Sequence, residues 1–435
     1  MPKAIVNARI YDFDEYIDHG YVVFDETILE KGPMEAFDRD DCTIIDGSGH
    51  LVIPSLVIGH THIYSAFARG WENSFEYESF MDILEKQWWR LDASHEHDTI
   101  YHSGIVNAVD HVKNGVTTIL DHHASGTIAG SLEKLRKAVV DTVGARGAFA
   151  FETSDRFDVE ACLAENRAFI DERHPNAPGL FGLHASLSLS EETLRRVKER
   201  LGDTPIHIHV AESELDQQDC LKRYGERVVE RLARHGLLNP GSILTHALHI
   251  NDAERDLIAE HDCVVALNPS SNMNNAVGIP DYPALRKRDI PVIVGNDGLT
   301  SSVTTEYQAL MFASHVQAKT PEAFDLGDLA RILDETYAYA SKLLGVRLGR
   351  LQAGYAADLL MLPYIPPTPM RASNALGHLF FGLFNSFKPS DVFIGGKHVV
   401  KDFEVDAPTR EAYAAAKDAA QKLWNQIERQ KGASR

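Results

Sequence analysis

The sequence predicts an α/β protein: a (β/α)8 TIM barrel with a small β-sandwich domain built from both chain ends. Three observations carry this expectation. Short apolar runs alternate with stretches of helical length through the middle of the chain, each run ends in polar or ionisable residues, and both ends of the chain read as short β segments. At 435 residues the chain is too long for one small core, and a barrel with a companion domain uses it fully.

The opening segments are KAIVNARIY, YVVFDETILEKG and CTIIDGSGHLVIP, punctuated by Gly and Asp. A matching set closes the chain, ADLLMLPY and DVFIGGKHVVKD, in which Gly395-Gly396 suits a tight hairpin turn. These two ends are expected to form one sheet domain. The division is then residues 1–54 and 353–435 for that domain and a terminal helix, with the barrel over 55–352.

Eight runs fill the middle: LVIPSLVIGHTH, GVTTILDHH, RGAFAFET, GLFGLHAS, PIHIHVAES, SILTHALH, CVVALNPSS and PVIVGNDG. Between them lie helical candidates such as SLEKLRKAVVDTVG, EETLRRVKERL and ERVVERLARHG. In a parallel barrel all strand C-termini share one face, so the polar residues that end these runs converge at one mouth. A single strand-end residue meeting solvent is unremarked; eight polar endings in a row are not.

Composition narrows the ligand. With 43 Lys+Arg against 63 Asp+Glu, the formal charge of −20 repels phosphate backbones and anionic lipid, which disfavours nucleic acid and membrane partners. No signal peptide or membrane-spanning run is evident, and Cys42, Cys162, Cys220 and Cys263 form no CxxC pair, so a cytoplasmic location is expected. The 21 histidines are a high count, and their placement decides their meaning.

His60-Thr61-His62 puts two imidazoles on one side of a strand end, where they can chelate one ion. The fifth run adds His207, His209 and Glu212; His209 is a candidate ligand, His207 an orienting or substrate group, and Glu212 a carboxylate able to reach a bound water. The sixth run gives His246 and the eighth Asp297. Three imidazoles and one carboxylate leave a coordination position open for water.

This order, HxH at the first strand, HxxE at the fifth, His at the sixth and Asp in GNDG at the eighth, resembles the amidohydrolase superfamily, in the branch of cytosine and guanine deaminases and triazine hydrolases. GRLQAGYAADLLMLP is similar to that branch's return into its β domain. The segments NPSSNMNNAVGIP, HTHIYSAFARG, LEKQWWRLD and PPTPMRASNALGHLFFG resemble the SsnA-type aminohydrolases most closely. The resemblance implies His60, His62, His209 and Asp297 as ligands of one divalent ion, Zn2+ first with Fe2+ or Mn2+ as alternatives. It implies Glu212 as proton shuttle and His246 as the group that orients the attacking water. The fourth run ends at His184 where the binuclear branch carries a lysine, which favours a single metal. Pro54-Ser55 and Asn296 depart from the branch without touching the ligands, and His184-Ala185-Ser186-Leu187 departs where substrate identity is set.

The implied chemistry is attack on a carbon–nitrogen bond of a purine, pterin or pyrimidine, catalysed by Glu212, His246 and Asp297, with His184 gripping a carbonyl or ring nitrogen. Ring opening of an oxidised purine, or displacement of another leaving group, uses the same groups. An inactive barrel scaffold is the non-enzymatic alternative, and the intact ligand set speaks against it. Trp88, beside Trp89, reads either as an aromatic lid over a flat ring or as packing. Arg69 reads either as a substrate contact or as one half of a salt bridge. The family leads one to expect a homodimer or a higher homo-oligomer.

Overall fold

The computed structural model describes residues 1–72 and 76–433. Eight parallel strands form the barrel: Leu56–Thr61, Val116–His123, Arg146–Phe151, Phe181–Ala185, Ile206–Val210, Ile243–His246, Val264–Leu267 and Val292–Val294. Regular ladders join the first three strands and the last five. The two arcs meet through parallel bridges at Phe149–Gly179 and Thr153–Leu183, and at the other seam the Asn296 N–H donates to the His60 carbonyl at 2.9 Å. Ring closure leaves no free sheet edge at the centre, and the strands are buried on both faces, which explains their unbroken apolar runs.

Helices cover the barrel in the order expected of βα units. Glu191–Leu201 is representative: Ser190 caps it by accepting from the Thr193 N–H, and Leu194, Val197 and Leu201 recur at helical spacing to face the core. The segment SLEKLRKAVVDTVG is helical too, but changes at Lys137 from α to π geometry.

The chain ends meet in a nine-stranded sheet. His50–Pro54 pairs antiparallel with Leu359–Pro363, which is the seam between the two ends. Ile5, Ile10, Val22, Phe24, Leu359 and Phe393 pack into a core belonging to this β-sandwich domain alone. Gly395 and Gly396 turn the hairpin with φ of 53° and 69°, as a tight turn with two left-handed residues requires. One expectation needs division: LVIPSLVIGHTH is two strands, His50–Pro54 in the sandwich and Leu56–Thr61 in the barrel, separated at Ser55.

At the foot of the barrel the two domains are tied by buried polar groups. Arg146, at the start of the third strand, grips Asp358 with Nε at 2.7 Å and Nη2 at 3.0 Å, and the Gly395 N–H donates to the same carboxylate. The terminal helix Ala407–Ala433 lays Ala416, Ala419, Leu423 and Ile427 against Tyr64, Phe67 and Leu91, bracing the loop after the first strand. Among the described residues no helix is long and apolar enough to cross a membrane.

Candidate active site

Residues at the C-terminal ends of strands one, five, six and eight converge as the topology requires. His60 and His62 bring Nε2 to 3.2 and 3.0 Å from one oxygen of Asp297, and His62 Nε2 lies 3.1 Å from His209 Nε2. The outer nitrogens explain why. His62 Nδ1 bonds the His122 carbonyl at 2.6 Å, and His209 Nδ1 bonds the His184 carbonyl at 3.0 Å. A carbonyl only accepts, so in each neutral ring the proton sits on Nδ1 and Nε2 is left as the lone pair that an ion can take. Two lone pairs and a carboxylate oxygen turned toward one another suit a cation between them, and the donor set of nitrogen and oxygen fits a divalent metal. His60 has a different outer partner, His207 Nε2 at 2.8 Å, which places His207 behind His60.

Local backbone geometry is unusual where these side chains leave the strands. Ala211, His246, Ala247 and Asp297 all have left-handed φ, between 47° and 73°. Such conformations cost energy in residues other than glycine and collect at functional sites. The GNDG motif has a steric reason as well. A Cβ on Gly295 would stand 2.5 Å from the His60 carbonyl oxygen, and one on Gly298 would stand 2.3 Å from Ser65 Oγ. The glycines flanking Asp297 therefore let strand eight lie directly against strand one.

Charge is divided sharply between the two carboxyl groups. Glu212 is pushed well above the usual carboxyl range by burial and by the negative charge of Asp297. Burial works against the charge on Asp297, but the imidazoles of His60 and His62 outweigh it and hold that carboxyl well below its usual range. Burial likewise opposes charge on His62, yet Asp297 and Glu152 raise its pKa to about 10. His246 Nε2 lies 3.6 Å from Glu212 and 3.8 Å from Asp297.

The mouth above these groups is lined by Tyr64, Trp88, Trp89, Glu152 and His184. Trp88 closes a π-helical turn, Leu84–Trp88, and Trp89 carries the Arg156 guanidinium 4.7 Å from its ring centre. His184 Nδ1 donates to Ser188 Oγ at 2.6 Å, since that hydroxyl spends its own proton on the Ala185 carbonyl. His184 Nε2 therefore faces the mouth as an acceptor. Burial and Arg156 hold this ring well below its usual pKa, so it is neutral.

Arg69 takes the second of its two readings, the salt bridge. It pairs with Asp110 at 2.8 Å and lines a separate groove with Lys113 and Tyr413, because the turn Ile63–Ala68 carries it around the barrel's flank. His249, near His246 in sequence, turns away to the Val277 carbonyl.

The model of the amidohydrolase family matches residues 51–399. The chain belongs to the amidohydrolase family. It is 27% identical over 431 residues to a 5-methylthioadenosine/S-adenosylhomocysteine deaminase of Syntrophomonas wolfei, covering 94% of this chain and 96% of that one. It is 28% identical over 417 residues to the enzyme of the same name from Bacillus cereus, covering 92% and 94%. A zinc-bound adenosine deaminase from Xanthomonas campestris superimposes with a TM-score of 0.81 at 20% identity, covering 98% of each chain. Zinc-bound atrazine chlorohydrolase from Arthrobacter aurescens gives 0.80 at 20%, covering 97% of this chain and 99% of that one. At these identities the structural likeness is one of fold.

Several residues of this amidohydrolase's mouth escaped the sequence reading. Glu152 lies 3.3 Å from His62 Nδ1 and 3.6 Å from His122 Nδ1, and burial raises its pKa to about 7. Its only signal was its place at a strand end. Ser271, Asn272 and Asn275 come from the polar stretch NPSSNMNN, which is unusually rich in asparagine for a helix.

Proposed function

We propose that this amidohydrolase is a metal-dependent aminohydrolase that replaces an amino group on a nitrogen heterocycle, a purine first, with oxygen and releases ammonia. The observation that carries the reading is geometric: His60, His62 and His209 converge with the Asp297 carboxylate at the barrel mouth, and the buried Glu212 carboxyl lies beside them, 3.6 Å from His246. His60, His62, His209 and Asp297 would hold a single divalent ion, Zn2+ first, with Fe2+ or Mn2+ able to take its place. When bound, such an ion supplies the Lewis acidity that makes water nucleophilic at neutral pH.

The chain's own groups handle the protons. Glu212 donates its proton to the ring, takes one from the water and delivers it to the leaving nitrogen, which is too basic to depart as an anion, then recovers the second water proton from the added hydroxyl as the carbonyl forms. One water is consumed, one carbon–oxygen bond forms, one carbon–nitrogen bond breaks, and one ammonia leaves. His246 stands beside the adding oxygen. His184 Nε2, an acceptor, takes a ring N–H rather than donating to a carbonyl, and Trp88 and Trp89 cover the flat ring. The deaminase names of relatives that align along nearly the whole chain support a purine. A cytoplasmic homodimer is the setting we propose, in keeping with four free cysteines; a sedimentation mass of one chain would overturn the dimer.

The test is incubation of the metal-loaded protein with purines, pterins and pyrimidines, following ammonia and ultraviolet absorbance together. The reading expects stoichiometric ammonia from an aminopurine. Absorbance lost without ammonia would replace deamination with ring opening.

A further inference from the structure

The short helix Pro269–Asn274 follows the seventh barrel strand, and it and the residue after it send three polar side chains to the three groups that flank the imidazole cluster. Ser271 Oγ donates to Asp297 Oδ2 at 2.6 Å. The Asn275 amide lies 3.4 Å from Glu212 Oε1. Asn272, fully buried, places Nδ2 2.8 Å from His246 Nδ1.

The last contact sets His246 apart from its neighbours. His62 and His209 hand an Nδ1 proton to a backbone carbonyl, which leaves Nε2 as the lone pair of the neutral ring. His246 Nδ1 instead meets an amide N–H, which can only donate, so Nδ1 must be the lone pair and the proton of the neutral ring must sit on Nε2. That nitrogen is buried, has no hydrogen-bond partner among the described residues, and points between Glu212 and Asp297. A protonated nitrogen cannot ligate an ion. It can donate to an oxygen on which negative charge develops.

We propose that Asn272 is a positioning residue that locks His246 in its Nε2–H tautomer, making His246 a hydrogen-bond donor to the reacting oxygen and excluding it from the ligand set. The catalytic part of this rests on the aminohydrolase reading above; the tautomer does not. Asparagine in a helix is otherwise disfavoured, and leucine of similar size would pack at such a buried position without an unpaired amide oxygen. The reverse amide orientation would turn Oδ1 to the ring, put the proton on Nδ1, and free Nε2 as a ligand. The two orientations therefore give opposite tautomers.

Long-range 1H–15N spectra of 15N-histidine-labelled protein, metal-free and zinc-loaded, with His246 assigned by loss of its signals in His246→Asn, read the tautomer directly. The expected result is a protonated Nε2 and an unprotonated Nδ1 in both forms; a protonated Nδ1 overturns the proposal, whatever the substrate proves to be. Asn272→Asp then exchanges a donor for an acceptor of the same shape. It should move the His246 proton to Nδ1 and lower kcat about a hundredfold with KM changed less than about threefold and metal content unchanged. Wild-type kcat in Asn272→Asp, with Glu212→Gln inactive, would sink the positioning role and leave the aminohydrolase reading standing.

Discussion

The two ends of the barrel bury polar groups in opposite ways. At the foot, Arg146 and Asp358 satisfy each other and the Gly395 N–H, and Tyr337 donates to the Ser55 carbonyl at 2.8 Å. At the mouth, among the described residues, His246 Nε2, both ring nitrogens of His122 and Glu152 Oε1 have no hydrogen-bond partner. An unsatisfied buried polar atom costs about 1–3 kcal/mol, so the foot is arranged for stability and the mouth for binding something else. The same fold thus separates holding itself together from doing chemistry by about one strand length.

Changing the mouth should affect function and leave folding largely intact. Glu212→Gln keeps shape and removes the exchangeable carboxyl proton; kcat should fall by about 10²–10⁴-fold with metal content and melting temperature unchanged. Steady-state kinetics beside metal analysis checks this, and substantial activity in the variant would remove Glu212 as the proton carrier.

At the foot the expectation reverses. Asp358→Ala leaves the Arg146 guanidinium buried without its partner and should cost about 3–5 kcal/mol of stability, read by denaturant unfolding. Turnover per folded molecule at low temperature should be that of the wild type. A large kcat defect there would erase the distinction between the two ends.

Arg69 belongs to neither end and gives the smallest effect. Its bond to Asp110 is solvent-exposed, so Arg69→Met should change stability by less than about 1 kcal/mol and leave kcat and KM alone. A raised KM would return Arg69 to the substrate.

Much of this contrast was legible in the sequence. Apolar runs ending in His, Glu and Asp announced eight strands and their common mouth, because period and polarity are properties of the chain itself. His60, His62, His209, Glu212, His246 and Asp297 come together because parallel strands share an end. The outer partners of His62 and His209 were not legible, since they are backbone carbonyls of other strands and carry no residue signature. Which of its two readings Arg69 would take was not legible for a similar reason: spacing from His62 says nothing about the direction of the turn between them. The sequence reading left Ser271 and Asn272 without a role because a polar helix start reads equally well as a solvated one.

The central claim is that four inward-facing groups hold a divalent ion, and His62 offers the most direct test. In the metal-free protein it is protonated up to about pH 10, and an ion needs its Nε2 lone pair, so loading at neutral pH must expel that proton. Affinity should accordingly rise with pH through this range. Calorimetric titration of metal-free protein with Zn2+ in two buffers of different ionisation enthalpy should give one ion bound and about one proton released per chain, with binding lost in His209→Ala. Binding without proton release, or binding undiminished in His209→Ala, would contradict the account.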